Sequence, residues 1–290
     1  LLLNTWSVND QGRYYHSKGL FIESQGKIEQ AKALFSQSIA VFEKQNIPNK
    51  YWVLSLQDRS YMDYLLTNDT TIYCADRKAA LNIARRQESA TALTGALTNY
   101  VFCMKDGFEG FEPGLALLTE AAQVAKDNKL SQKHSAMIHN ATGLLYRSNQ
   151  LHDKAYEYLS KAYDDWVELN DIQDMFNMQH SLVGESIKLN LWDQADLHIK
   201  QLYLLAKNNP DFKDFTFFAH YNQGRKLFAE GVFLNAVKAF DRALAIKEST
   251  KEQYFVDTAE AMWLVAKYRS GNEKPLYGMF SDPELLIGKV

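Results

Sequence analysis

Proline, cysteine and long apolar runs are all scarce in this chain, and each scarcity removes a class of structure. The five prolines are Pro48, Pro113, Pro210, Pro275 and Pro283. By the hydrophobic spacing, each falls between expected helices or in a first helical turn, where a missing N–H costs little. The two cysteines, Cys74 and Cys103, are too few for a disulfide scaffold and lack the CxxC spacing of zinc or redox sites. They read as buried or half-buried thiols, with a Cys74–Cys103 bridge open to them only in an oxidising compartment. The longest apolar runs, such as GLALL at 114–118 and WLVA at 263–266, fall far short of the roughly 20 residues that span a bilayer. No membrane insertion is expected. Charge of one sign is also lacking: 32 basic residues face 35 acidic ones, and no block of five or six Lys/Arg occurs. That balance argues against a dedicated nucleic-acid binder.

Catalytic signatures are missing too. There is no phosphate-binding loop, dinucleotide fingerprint or nucleophile elbow. His134 and His139 stand five apart and diverge on a helix, unlike the i, i+4 pair of a zinc protease. The stretch DGFEGFEPG at 106–114 lacks the alternating ligands of a calcium loop and reads as a solvated turn. Nothing near Cys103 supplies the electropositive setting that activates a thiol. The expectation is a chain that is not an enzyme, with no cofactor and no metal site. Of two glycosylation sequons, Asn140-Ala141-Thr142 sits on a packed helix face and is discounted, whereas Asn68-Asp69-Thr70 falls on a turn. The start, LLLNTWSVND, suggests a fragment of a longer protein.

What the chain does contain is a period. Four segments align on Gly19, Gly143, Gly184 and Gly224; the last three are 41 and 40 residues apart, and the first lies 124 before the second, close to three periods. A glycine inside a helix costs about 1 kcal/mol relative to alanine, so something must offset it. In three segments a small residue follows 12 positions later (Ala31, Ala155, Ala236), then a bulky one (Phe35, Leu159, Phe240), then another small one (Ser38, Ala162, Ala243). This is the pattern of two antiparallel helices with a short turn, where small residues allow close approach and the bulky one fills the wedge. In the segment holding Gly184, Ala195 comes only 11 residues later, which implies a turn one residue tighter. Segments 51–87 and 89–126 are degenerate; in the latter Gly114, Leu118 and Ala121 take the small–bulky–small places.

These residues resemble the tetratricopeptide repeat family, with its small residue on the first helix and A-x3-F-x2-A on the second. The resemblance implies an all-α fold: a right-handed α-solenoid of stacked antiparallel hairpins. Six hairpins are expected over 1–251, with a capping helix and tail over 252–290 that covers the open end. A 41-residue period in place of 34 means longer hairpins. His139, His180 and His220 take the large position of the first helix and are read as packing residues with one hydrogen-bonding nitrogen.

The resemblance also implies a concave groove lined by the first helices. Mapping its lining positions gives His16, Leu20 and Glu23; Asn99, Cys103 and Asp106; Asn140, Leu144 and Arg147; Ser181, Glu185 and Lys188; Tyr221, Arg225 and Phe228. The binding residues expected from these are Asn99, Asn140, Arg147, Lys188, Tyr221 and Arg225, since amides hold an extended backbone and cations meet carboxylates. His16 and Leu20 stand where chaperone-binding repeats place a carboxylate clamp, so chaperone binding is not expected. The leading expectation is a non-catalytic domain that binds a protein or peptide in the groove. The alternative is a ligand-sensing region of a bacterial signalling protein, periplasmic or cytoplasmic, whose diguanylate cyclase or regulator output lies outside this chain. A homodimer through the open end is a third arrangement.

Overall fold

The computed structural model describes residues 6–67, 69–104 and 108–271. Among them there are thirteen α-helices and no strand: α1 (Val8–Ser24), α2 (Ile28–Glu43), α3 (Lys50–Thr67), α4 (Thr70–Ala84), α5 (Ala90–Val101), α6 (Phe108–Asp127), α7 (Gln132–Ser148), α8 (His152–Glu168), α9 (Ile172–Lys188), α10 (Trp192–Asn208), α11 (Phe215–Ala229), α12 (Phe233–Leu244) and α13 (Gln253–Arg269). The chain divides into two compact units, residues 1–151 and 152–290. Pro275, Pro283 and the expected C-terminal tail lie outside the described residues, as do Asn68 and Asp106.

Local chemistry sets the helix ends. Ser7, Asp69, Ser89 and Asp171 accept a backbone N–H of the first turn through their side chains, satisfying donors the helix cannot. At the other end, Gly26, Lys129, Gln150, Asn170, Asn190 and Gly231 adopt positive φ. The following N–H then reaches back five residues, as in Lys27 to Ile22, Leu151 to Tyr146, Leu191 to Ser186 and Val232 to Leu227. This closure stops a helix and turns the chain back within three residues.

The small–bulky–small pattern is the core. Ala31, Ala155, Ala195 and Ala236 are fully buried, and so are Phe35, Leu159 and Phe240. Gly19 and Gly224 do what their position implies: a Cβ on Gly19 would stand 2.5 Å from the Phe35 ring, and one on Gly224 2.6 Å from the Phe240 ring. Gly12 faces Phe42 in the same way. Within the first unit, α1, α3, α5 and α7 pack side by side in order; within the second, α9, α11 and α13 do so, with α13 also against α12. The second unit's core is aromatic, with Phe176 and Phe215 stacked at 3.7 Å between centroids.

Four expectations need correction. The turn after Gly184 is not tighter: three residues separate α9 from α10, as they do α1 from α2 and α11 from α12. Gly184 instead sits four residues before its helix end where the other three sit five, and fully buried Val183 takes the position they hold. Pro113 lies inside α6 and not in a loop. The helix starts early because Gly110, lacking a Cβ, lets the chain pass against the Met104 carbonyl; Pro113 then falls in its second turn. Gly114 does not face the first helix of its own hairpin; a Cβ there would stand 2.9 Å from Leu145 of α7. Finally, Cys74 and Cys103 are not free thiols but form a disulfide, joining α4 to the chain just past α5, with Cα atoms 5.5 Å apart.

Candidate binding surface

The first helices of successive hairpins carry the residues expected to bind, and the structure treats them unequally. In the first unit, His16 of α1 is buried, not groove-lining, and its Nε2 meets Asp58 Oδ2 of α3 at 2.8 Å. Leu20, four residues on, is exposed. Asn99 of α5 receives the Arg77 guanidinium: Nη1 donates to its carbonyl at 2.6 Å and reaches its Oδ1 at 3.5 Å. Asn140 of α7 is half-buried, and its Oδ1 is buried without a hydrogen-bond partner. Arg147, near the end of α7, is half-buried.

In the second unit the one-residue displacement of Gly184 shifts the expected register. Ser181 and Glu185 point inward and are buried; Glu185 Oε2 takes His152 Nδ1 at 2.8 Å. Lys188, the last residue of α9, is exposed. Arg225 lies half-buried against Gly184, its guanidinium carbon 5.4 Å from the Tyr221 centroid and its Nη1 donating to Asn222 Oδ1. Tyr221 does not line the surface. It is 3% exposed and packs among Phe217, Phe240 and Phe255, on the inward face of α11 that also buries Phe215 and Phe218. Burial raises its pKa, opposed by the Arg225 charge.

Of the histidines at the large position, His180 and His220 pack and hydrogen-bond as read from sequence. His180 Nδ1 lies 2.7 Å from Asn222 Nδ2, and His220 Nδ1 2.7 Å from Tyr203 Oη. Burial, then the Arg242 charge, lowers the His220 pKa. His198, which carried no sequence signal, bridges Gln179 at 2.7 Å and Tyr156 at 3.0 Å, and burial depresses its pKa to about 4. The pairs His16–Asp58, Tyr156–His198 and His180–Asn222 are each 42 residues apart. Neighbouring hairpins are thus tied by polar bonds as well as apolar packing.

Sequence reasoning also passed over Arg77. It stands 42 residues after Phe35 and 41 before Leu118, so it holds the bulky wedge position of the second hairpin. The same 40–42-residue step leads on to Leu159, Ile199 and Phe240, all buried. A search keyed to apolar side chains cannot register a guanidinium there. The repeat spacing counted through the degenerate hairpin would have found it.

Among the described residues no helix is long and apolar enough to cross a membrane, and no three His, Cys, Asp or Glu side chains gather as a metal site would require.

No family model and no curated protein sequence matches the chain. Solved structures do. A Rap protein complexed with competence and sporulation factor is similar at TM-score 0.61 and 14% identity, over 89% of this chain and 76% of that one. The apo form of RapI follows at 0.56 and 15%, over 91% and 100%. Aspartyl phosphate phosphatase F from Bacillus subtilis gives 0.54 and 13%, over 93% and 73%. At these identities the likeness shows the fold alone. The chain has an all-α, tetratricopeptide-like helical repeat fold.

Proposed function

We propose that the chain is a non-catalytic helical repeat domain that binds a protein or an extended peptide along its first helices. Asn140 carries the reading. A buried amide oxygen without a donor costs about 1–3 kcal/mol, and a backbone N–H of an extended peptide would supply one. Asn99 and Arg147 in the first unit, and Lys188 and Arg225 in the second, are the other contacts proposed; Lys188 is exposed and free to meet an acidic side chain. The Rap protein of similar fold is named as a complex with competence and sporulation factor, which supports a binding role for this architecture. The phosphatase activity in another relative's name belongs to that protein.

Positional-scanning hexapeptide pools, read by fluorescence anisotropy against the whole chain, test this. Some pools should bind the native protein at micromolar concentration, Asn140→Ala should weaken them about tenfold, and Lys188→Glu should lose the acidic pools selectively. No binding by any pool, or undiminished binding by both variants, would overturn the reading.

A second reading, a ligand-sensing region of a signal-transduction protein, is favoured by the same likeness to a factor-bound Rap protein. The Cys74–Cys103 bridge supports a periplasmic placement for it, since disulfides persist where the compartment is oxidising. A full-length gene without an output domain would remove this reading.

A further inference from the structure

Five of the six repeat segments carry an apolar side chain at the wedge position, and the second carries Arg77 there. It is 7% exposed. Its Nε donates to Ser60 Oγ of α3 at 3.2 Å and its Nη1 to the Asn99 carbonyl of α5. The guanidinium carbon lies 3.9 Å from the Tyr73 centroid and 5.5 Å from that of Phe102. Removing a cation from water costs several kcal/mol unless a counter-charge and full hydrogen bonding compensate. Here the ring faces, two neutral acceptors and the more distant Asp58 charge offset part of that cost, and among the described residues no carboxylate forms an ion pair with it.

The nearby acids are already committed. Asp76 holds Arg59 through two bonds of 2.7 Å, Asp58 meets His16, and Asp63 pairs with Lys32. The other buried cation, Lys226, has both Asp196 and Glu230. Among the described residues Arg77 is therefore the one buried Lys or Arg without a carboxylate partner. Burial depresses its pKa to about 10, which leaves it charged at any physiological pH. The walls of the site are joined covalently: Cys74 follows Tyr73, Cys103 follows Phe102, and the two are bridged.

We propose that Arg77, at the junction of α3, α4 and α5, anchors the carboxylate of a bound peptide, with Asn99 beside it to hold the peptide's amide groups. The inference rests on the peptide-binding reading above and adds the anchoring residue and the ligand chemistry. A planar guanidinium between two rings suits a single planar carboxylate, which takes paired N–H bonds. The carboxylate comes either from the peptide's C-terminus or from an acidic side chain.

The experiment uses the disulfide-intact whole chain and hexapeptide pools of four kinds: free or amidated at the C-terminus, each with or without Asp and Glu. The native protein should bind carboxylate-bearing pools at least tenfold tighter than amidated, acid-free ones. Preference for free C-termini identifies the terminal source; preference for acidic pools identifies a side chain. Arg77→Met should erase the preference while leaving residual binding to neutral pools. Should that variant fail to fold, Asn99→Asp decides the question, because its carboxylate supplies an internal counter-ion. It should raise Tm and abolish the preference. If pools bind with the expected dependence on Asn140 but show no carboxylate preference, or if Asn99→Asp keeps the preference, the Arg77 assignment alone is overturned. If no pool binds the native protein, both proposals fall.

Discussion

Arg225 lies across Gly184: its Nη2 comes within 3.4 Å of where a Cβ on that glycine would stand. The glycine clears a path for a long side chain from the neighbouring first helix, whereas Gly224 clears one for Phe240 of its own hairpin. The two substitutions to alanine should therefore differ in sign. Gly184→Ala meets only the movable end of an arginine and gains helix propensity, so it should stabilise by about 0.5–1 kcal/mol. Gly224→Ala drives a Cβ to 2.6 Å from a fully buried ring, and should destabilise by roughly 1–3 kcal/mol despite the same propensity gain. Thermal unfolding of the two variants checks both.

The Arg59–Asp76 pair should matter more than a surface ion pair. Both side chains are mostly buried and the contact is bidentate. The hydrogen bond to Asp76 is the largest cause raising the Arg59 pKa, with burial opposing it. Arg59→Met leaves a buried carboxylate uncompensated and should cost about 3–5 kcal/mol. Adding Asp76→Leu should recover a large part of that loss. A double-mutant cycle in urea reads the coupling, and additive losses would show that the pair contributes little.

Reduction of the disulfide should destabilise the first unit. Cys74 and Cys103 are separated by 29 residues, and closing a loop of that length contributes about 3–4 kcal/mol by restricting the unfolded chain. The Cys74→Ser/Cys103→Ser variant should lose this stability with or without reductant, while the native chain loses it only with reductant. A thiol titration that finds two free cysteines in the oxidised protein would contradict the bridge.

His198 should make stability fall in mild acid. Tyr156 donates to Nε2, so Nδ1 carries the proton and donates to Gln179; a second proton would force the Tyr156 hydroxyl to turn from donor to acceptor and place a charge in a buried site. The folded pKa of about 4 lies below the ordinary value of 6.5. Above pH 6.5 the ring is neutral in both states and the fold is undisturbed. As pH falls from 6.5 towards 4 the unfolded chain takes up a proton that the fold refuses, and stability is lost across that window. With screening by solvent at the open edge of the site, the loss is about 1–2 kcal/mol. His198→Gln should flatten the profile between pH 6.5 and 4 in denaturant titrations.

Much of the fold was legible because its determinants repeat. Gly19 with Phe35 and Gly224 with Phe240 recur at a fixed spacing, and close helix approach has few chemical solutions. The surface was less legible. Tyr221 was misassigned because an aromatic residue at a lining position and one in a core look alike on paper. The placement of Gly184 was misread because a one-residue shift along a helix and a one-residue shorter turn leave the same spacing. Pro113 misled because proline usually marks a boundary, and here Gly110 let the helix begin before it.

The repeated order of small and bulky residues determined by itself that this chain would be paired helices with glycine and alanine at the closest approach. Which charges lost their water only the tertiary structure decided. A carboxylate finds its partner across helices distant in sequence: Asp58 took His16, Asp76 took Arg59, and Arg77 was left with two neutral acceptors. Burial and pairing depend on what lies across the gap between helices, and the residues that face each other there are ordered by packing and not by position along the chain.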